Sequence, residues 1–326
     1  MTISVIGAIV YDEIITHKGE RRESFGGITY NIAALSSILP PDVTIHPVSN
    51  VGEDRYYEVL AMLKEYPAVD TRDLVRTPGR LTHTKLVYRS ITYRDEAVLD
   101  LMRPLSLEAA LKAAGSEAIL INFINGTELT LDVMGALCGR TKGFVQLDVH
   151  SKVSRWDAAG HKSQVRFADW REWGRHVDAI QMNEFEAGLT VGRELKDRDD
   201  FVAAGREILA EGPPIVIITL GPQGSLLFHR RDGKPYCFAC PAINVEAVDT
   251  TGCGDSYSAG FLWSYLQRKD PVAAACAANI VGGINCTTSG IGHLEAARGA
   301  LDQIPKWYPD LADRVASGWP GEPLSP

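Results

Sequence analysis

Short apolar segments alternate with amphipathic ones along most of the chain, and this alternation constrains the fold more than any other feature. The apolar segments are rich in isoleucine and valine and have the length of buried strands, whereas the segments between them have helical spacing. The predicted strands are residues 3–10, 118–123, 143–149, 179–182 and 215–220, and the predicted helices are residues 31–39, 56–66, 107–114, 129–138 and 199–210. Such alternation is typical of a mostly parallel sheet with helices on both faces. We therefore predict an α/β fold, a three-layer α/β/α sandwich of Rossmann-like type.

Two polar, strand-like segments break this alternation, residues 14–25 and 80–101. We predict that they form a small antiparallel sheet, which projects from a core made of residues 1–13, 26–79 and 102–326. A pair of surface hairpins is the alternative. Toward the end the pattern is helical, at residues 255–268, 271–286 and 294–301, and residues 318–323 are expected to form a poorly ordered tail.

Charge and cysteine content exclude several classes of partner. The formal net charge is −8 and no long basic block occurs, which argues against nucleic acid as a main partner. No apolar run approaches the roughly 20 residues of a membrane span, and the first strand lacks the basic flank of a signal peptide. The six cysteines indicate reduced thiols and a cytoplasmic location. Cys237 and Cys240 have C-x-x-C spacing without a second pair, so a strand is favoured over a zinc site.

Residues 249–255 read Asp-Thr-Thr-Gly-Cys-Gly-Asp and are followed by a run of small and apolar residues. This pattern predicts a tight loop that opens a helix, because glycine allows a sharp turn. The first amides of such a helix lack intrahelical acceptors and form an anion site. Asp255 then either caps the helix or takes a proton from a nucleophile that attacks a bound phosphate. We favour the second interpretation.

This stretch resembles the C-terminal signature of the ribokinase/PfkB-type carbohydrate kinases, Asp-Thr-x-Gly-Ala-Gly-Asp, with Cys253 in place of the usual alanine. The resemblance implies that Asp255 is the catalytic base and that the amides of Gly252, Cys253 and Gly254 stabilise the transferring phosphoryl group. It further implies ATP-dependent phosphorylation of a hydroxymethyl group on a sugar or sugar-like substrate, with Mg²⁺ as cofactor. The two polar segments would then form a lid over the sugar and a homodimer contact.

A glycine pair that runs into a predicted helix resembles the N-terminal signature of the same family. Asn31 follows Gly26 and Gly27 on that helix, and Asp12 follows the first predicted strand. Taken alone, Thr29 or Asn31 would be interpreted as a helix cap. The resemblance instead implies that Asp12, Gly26, Gly27 and Asn31 bind the substrate, and a carboxylate such as that of Asp12 can accept two sugar hydroxyls.

Further matches concern the phosphate donor and the metal ions. Asn183 and Glu186 have the spacing of a capping box, and in the family this element organises Mg²⁺ through water. The turn with Thr219, Gly221 and Gly224 is a plain hairpin signal, and in the family it borders the nucleotide. Asn279 matches a position beside the adenine. The resemblance also implies that a monovalent cation such as K⁺ binds at a site formed by three residues, Asp249, Thr251 and Ser289.

The chain departs from the family after Asp148. Many members continue with Pro-Asn-x-Arg, whereas this sequence reads Val-His-Ser-Lys. His150 or Lys152 could contact an acidic or phosphorylated substrate, although a polar loop explains both residues. The departure prevents the transfer of a substrate identity from the family.

Three rival functions were weighed against a sugar kinase. A nucleoside kinase of the same fold would use aromatic surfaces for a base, and the candidates are Tyr11, Phe25, Tyr88 and Tyr93. A non-catalytic member would bind a ligand without turnover, but the intact loop with Asp255 argues against it. A dinucleotide-binding dehydrogenase is disfavoured because residues 7–12 lack the second and third glycines of that motif.

Overall fold

One nine-stranded sheet forms the centre of the protein in a computed structural model that describes residues 1–89, 94–290 and 294–324. The strands are β1 (Thr2–Ile6), β2 (Ile9–Ile15), β3 (Arg21–Gly27), β4 (Thr44–Val48), β5 (Asn50–Gly52), β6 (Val75–Thr77), β7 (His83–Tyr88), β8 (Arg94–Asp100), β9 (Ala118–Asn122), β10 (Phe144–Asp148), β11 (Ser154–Trp156), β12 (Lys162–Gln164), β13 (Ala179–Asn183), β14 (Ile215–Thr219), β15 (Ser225–Arg231), β16 (Lys234–Cys240) and β17 (Glu322–Pro323). The helices are α1 (Thr29–Ile38), α2 (Tyr56–Leu63), α3 (Leu107–Leu111), α4 (Leu131–Cys138), α5 (Trp170–Gly174), α6 (Glu184–Val191), α7 (Arg198–Glu211), α8 (Cys253–Arg268), α9 (Pro271–Asn285), α10 (Ile304–Trp307) and α11 (Ala312–Ala316).

The central sheet is mostly parallel, as predicted. Its order is β17-β16-β15-β14-β13-β10-β9-β1-β4, and the six strands from β14 to β4 run in the same direction. Side chains alternate between its faces. Leu120 packs with α1, α8 and α9 on one face, whereas Ile119 and Ile121 pack with the helices α3 to α7 on the other. These two apolar clusters confirm the three-layer sandwich.

A separate four-stranded sheet, in the order β3-β2-β7-β8, contains the two polar segments. The predicted antiparallel arrangement is wrong for one pair, because β2 and β7 run parallel. Many residues, including α1 and α2, separate these two strands, so the chain can return in the same direction. Strands β2 and β3 also extend beyond residues 14–25. Residues 90–93 of the second predicted segment lie outside the described residues.

Two predictions about chain geometry were wrong near the ends. The first predicted strand, residues 3–10, divides into β1 and β2 at Gly7, where a methyl group would lie 2.3 Å from the Ile28 side chain. The predicted helix at 294–301 contains only a short 3-10 turn, Glu295–Ala297, and then meets Gly299 with a φ of 67°. A residue in the left-handed region ends a helix.

The predicted disordered tail is instead packed onto the central sheet. The Trp319 ring meets the ring of Phe238 edge-on at a centroid distance of 5.6 Å. The guanidinium of Arg314 lies 3.5 Å from the centroid of the Trp319 ring. Strand β17 then pairs with β16. The prediction was based on the position of the segment at the end of the sequence, whereas the aromatic contact holds the segment in place. In the described part of the chain, no helix is both long and apolar enough to cross a membrane.

Candidate active site

Polar residues end four neighbouring strands of the central sheet. Asn122, Asp148, Asn183 and Thr219 are the last residues of β9, β10, β13 and β14. Since parallel strands end at the same edge, these side chains lie along one edge, where open α/β sheets bind ligands. Helix α8 begins above this edge and brings Asp255 to it.

Asp255 lies in the first turn of α8 and is 9% exposed. The side-chain amide of Asn122 donates to its Oδ1 at 2.6 Å and to Oδ1 of Asn31 at 2.9 Å. Asn31 in turn donates to the main-chain oxygen of Asp255 at 3.0 Å. The predicted base and a predicted substrate residue are therefore joined through Asn122, which the sequence analysis missed.

The surroundings of Asp255 act on its pKa in opposite directions. Burial raises the pKa, whereas the positive charge of His150 and the hydrogen bond from Asn122 lower it. Asp148 lies nearby, and its pKa is raised by burial and by the negative charge of Asp255. Gln181 and Ser258 donate to Oδ2 of Asp148 at 3.0 and 2.7 Å. The site thus holds two interacting buried carboxyls beside one imidazole.

His150 and Lys152 follow β10 but have different surroundings. His150 adopts a φ of 39°, its amide donates to Asp148, and its ring bonds to Ser151 at 3.0 Å. The ammonium of Lys152 lies 3.9 Å from the ring centroid of Trp173 and is half-buried. Burial lowers the pKa of Lys152. Only His150 of this pair acts electrostatically on Asp255.

The loop before α8 has the geometry of an anion site. Gly252 precedes the helix with a φ of 75°, and the Cys253 amide donates to the Thr250 oxygen at 3.3 Å. In the described part of the chain, the amides of Gly252 and Gly254 have no hydrogen-bond acceptor. A methyl group on Gly254 would have no atom within 4 Å, so the space beside this amide is open. An anion can approach there, at the positive end of a 16-residue helix.

Asn285, at the end of α9, holds this loop in place through side-chain hydrogen bonds. Its amide donates to the Thr251 oxygen at 2.9 Å and to the Cys253 sulfur at 3.3 Å, and its oxygen accepts from Ser256 at 3.1 Å. Three hydrogen bonds from one buried side chain restrain the loop on both sides of Gly252.

The predicted substrate residues lie together on the lid side of the site. A methyl group on Gly26 would lie 2.1 Å from Oδ2 of Asp12, so the carboxylate lies directly against the glycine backbone. Gly27 has a φ of 68°, and its Cα lies close to the main-chain oxygen of Ala8. Helix α1 begins without a side-chain cap. The alternative role of Asn31 as a helix cap is therefore wrong.

Asn183 and Glu186 form a complete capping box on α6. The Asn183 side chain accepts from the Glu186 amide, while its main-chain and side-chain nitrogens donate to Glu186 at 2.9 and 2.7 Å. Burial and the nearby Asp148 carboxyl raise the pKa of Glu186. Oε1 of Gln181 is buried without a partner in the described residues. Oxygen donors of this kind suit Mg²⁺, although the cap occupies Glu186, so the residues fit coordination through water.

The predicted nucleotide residues lie around β14 and β15. Gly221 and Gly224 have φ values of 52° and 90°. A methyl group on Gly224 would lie 2.1 Å from the Cys240 oxygen. A methyl group on Gly221 would have no atom within 4 Å. Gly224 is thus required by packing and Gly221 borders open space. Asn279 donates to Ser225 at 3.0 Å, and Thr219 ends β14 beside this group.

The three residues predicted to hold a monovalent cation are hydrogen-bonded to one another. The Asp249 carboxylate accepts from the Thr251 amide at 2.9 Å and from the Ser289 hydroxyl at 3.1 Å. The described residues contain no group of three or more His, Cys, Asp or Glu side chains arranged to hold a metal. The structure therefore brings the three oxygen-bearing residues together without a dense carboxylate cluster.

Sequence reasoning missed four residues at this site, which are Tyr30, Asn122, Gln181 and Asn285. Asn122 did carry a signal, because it is polar at the end of an otherwise apolar strand. Tyr30 and Gln181 gave none, since Tyr30 lies in the first turn of a helix and Gln181 inside a strand, and Asn285 is only the last residue of an otherwise apolar helix.

Comparison with known proteins gave one family and several relatives. A family model, pfkB family carbohydrate kinase, matches residues 156–297. An uncharacterised sugar kinase of Escherichia coli (strain K12), YeiI, is 25% identical over 289 residues, which cover 85% of this chain and 75% of the relative.

Solved structures show the same fold. A pyrophosphate-dependent kinase of the ribokinase family, complexed with a pyrophosphate analogue and myo-inositol, superposes with a TM-score of 0.71 at 20% identity, covering 90% of this chain and 98% of that one. The ribokinase of Arabidopsis thaliana, complexed with ribose and ATP, gives a TM-score of 0.69 at 18% identity, with 92% and 98% covered.

Proposed function

Since the chain belongs to the PfkB family of carbohydrate kinases, we propose that it transfers the terminal phosphoryl group of ATP to a hydroxymethyl group of a sugar or sugar-like molecule. One observation carries this proposal. The Asp255 carboxyl accepts a hydrogen bond from Asn122, which also donates to Asn31, and it lies at the start of α8 beside the amides of Gly252 and Gly254, which have no acceptor among the described residues. A base and an anion site thus lie within one helical turn.

Asp255 is proposed to act as the general base. The acceptor lies between Asp12 and Asp255, with its other hydroxyls held by the Gly26–Gly27 backbone and Asn31. As the acceptor oxygen bonds to the terminal phosphorus, its proton passes to the Asp255 carboxylate. The bond to the bridging oxygen breaks and ADP leaves with that electron pair. The Gly252 and Gly254 amides and the α8 dipole stabilise the developing charge, and the Cys253 amide becomes available if its turn opens.

The remaining assignments belong to the same proposal. Asn183 and Glu186 would hold Mg²⁺ through water, and the metal would neutralise phosphate charge when bound. Thr219, Gly221, Gly224 and Asn279 would border the nucleotide. Asp249, Thr251 and Ser289 would hold K⁺ near the loop. The four-stranded sheet closes over the acceptor to exclude water, which suppresses ATP hydrolysis, and provides a dimer contact.

A nucleoside acceptor has weaker support from the aromatic residues. Arg55 covers the Tyr11 ring at 3.7 Å, and Phe25 and His83 pack against its edges. One face of the Tyr11 ring is therefore covered, and the residue, at 8% exposed, offers little surface to a base. Tyr93 lies outside the described residues.

A phosphorylation screen tests the proposed function. The protein is incubated with Mg²⁺, K⁺ and either ATP or pyrophosphate, over ketoses, aldoses, sugar acids, inositol and nucleosides, and the phosphorylated product is detected by mass spectrometry. We expect ATP-dependent product with at least one neutral sugar or polyol. Product from nucleosides alone would support the rival kinase. Binding of a ligand without any product would support the non-catalytic alternative.

A further inference from the structure

Tyr30 lies at the centre of the proposed site, although no role has been assigned to it. It is the second residue of α1, directly before Asn31. A methyl group on Gly252 would lie 2.3 Å from its Cδ1 and 2.9 Å from its Cε1, so the ring packs flat against the loop glycine. The ring therefore separates the loop before α8 from the Asp12 side of the site.

The electrostatic surroundings of Tyr30 support this placement. Burial raises the pKa of its phenol, and the negative charges of Asp12, Asp255 and Asp249 raise it further. The phenol is therefore a neutral hydrogen-bond donor over the whole physiological pH range. Three aspartates, Asp12, Asp255 and Asp249, therefore act electrostatically on this one phenol.

The Tyr30 hydroxyl forms no hydrogen bond with any residue that the structure describes. The side chain is half-buried, but the hydroxyl is not among the buried polar atoms that lack a partner, so a bound group can reach it. The negative charges of Asp12, Asp255 and Asp249 all act on this phenol, so a group bound beside it would meet one donor and several acceptors. An acceptor hydroxyl is the group that the proposed reaction would bring there.

We propose that Tyr30 is a specificity-determining residue of the acceptor site, whose ring forms the wall beside Gly252 and whose hydroxyl donates to a hydroxyl of a neutral polyol or sugar. This inference depends on the proposed function for the identity of the acceptor. Among the residues named around this hydroxyl, three are acidic, so a neutral acceptor avoids the repulsion that an anionic one would meet.

Tyr30→Phe tests the hydroxyl and keeps the ring. Steady-state kinetics are measured with ATP and a panel of D-ribose, D-fructose, myo-inositol, gluconate, adenosine and cytidine. Losing one neutral hydrogen bond should raise the acceptor KM about three- to tenfold. We expect KM for ATP and the melting temperature to stay unchanged. Tyr57→Phe, at an exposed tyrosine of α2, is the matched control and should change none of these values.

Tyr30→Ala removes the wall as well. It should lower kcat, because the Gly252 loop loses its support, and widen the set of acceptors used. An unchanged acceptor KM in Tyr30→Phe would overturn the inference, as would a preference of the wild type for gluconate over every neutral compound.

Direct binding separates this inference from the proposed reaction. If the wild type binds a neutral compound without turnover, the kinase proposal fails, and calorimetry with the same variants still measures the Tyr30 contribution. A weaker Kd in Tyr30→Phe then supports the inference, and an equal Kd contradicts it. A wild type that binds no neutral compound also contradicts it, because the hydroxyl then has no acceptor to recognise.

Discussion

At the scale of single residues, the central question is how a buried carboxyl stays ionised enough to accept a proton. Burial favours the protonated form of Asp255, whereas Asn122 and His150 favour the charged form. Asp148 competes for charge, since two neighbouring carboxyls do not ionise independently. If Asp148 holds the proton, Asp255 can serve as the base.

Replacing His150 should change how activity depends on pH. His150→Asn removes the positive charge, and asparagine tolerates the left-handed backbone at this position. Without that charge, the pKa of Asp255 rises, so the acid limb of the kcat/KM profile should move to higher pH. The loss should be larger at pH 6 than at pH 8, because a raised pKa leaves more of the Asp255 carboxyl protonated at the lower pH.

The profile is measured from pH 5.5 to 9 with the acceptor found in the screen. His161→Asn is the control, because His161 is exposed and pairs only with Asp157 among the described residues. An acid limb that stays in place, or moves to lower pH, would rule out electrostatic support from His150.

At the scale of elements, the loop before α8 depends on the packing of α8 against α9. Asn285 reaches from the end of α9 to three groups around the loop. Its side chain is 5% exposed, so no water can easily replace these bonds. The loop before α8 is thus positioned by a residue far from it in sequence.

Asn285→Ala should lower both stability and catalysis. Leaving buried polar groups unpaired costs about 1–3 kcal/mol, which corresponds to a drop of several degrees in melting temperature. A displaced loop should also lower kcat by about tenfold or more, because small misplacements weaken catalysis strongly. Differential scanning fluorimetry and initial rates measure the two effects.

Gln303→Ala provides the comparison. Its amide also donates to two main-chain oxygens, those of Ala296 and Arg298, but it lies away from the loop. It should affect stability only. Equal kcat values for the two variants would show that Asn285 does not position the loop.

The same elements show what the sequence could predict. The residues of the Asp249–Asp255 stretch follow one another in the sequence, as do those of the Gly26–Asn31 segment, and each segment leads into a helix. Local sequence patterns could therefore predict both turns. Asn122 and Asn285 reach the site only through strand order and helix packing, which no local pattern contains. The prediction of a helix at residues 294–301 was wrong for a related reason, because the left-handed conformation of Gly299 cannot be predicted from the neighbouring residues.

At the scale of the whole molecule, the strand–helix alternation predicted the sandwich because each apolar run has the length of one buried strand. The tail could not be predicted in this way, since its position depends on Trp319 meeting Phe238 across the fold. The edge of the central sheet is closed by that contact and by β17.

Trp319→Ala should therefore destabilise the protein without changing its chemistry. Losing part of an aromatic side chain from a half-buried position costs about 1–3 kcal/mol, and the melting temperature should fall by a few degrees. Trp319→Phe should retain most of the stability. A variant with normal melting temperature would mean that the tail contributes nothing to the fold.

The proposed reaction requires Asp255 to be the base of the phosphoryl transfer. The most direct test is the single-turnover rate of product formation by Asp255→Asn, with acceptor binding measured in parallel by calorimetry. Asp232→Asn serves as the control in an exposed turn. We predict that the Asp255 variant binds the acceptor nearly as the wild type does and loses on the order of a hundredfold or more in rate. A rate within several-fold of the wild type would contradict the role of Asp255 as the base.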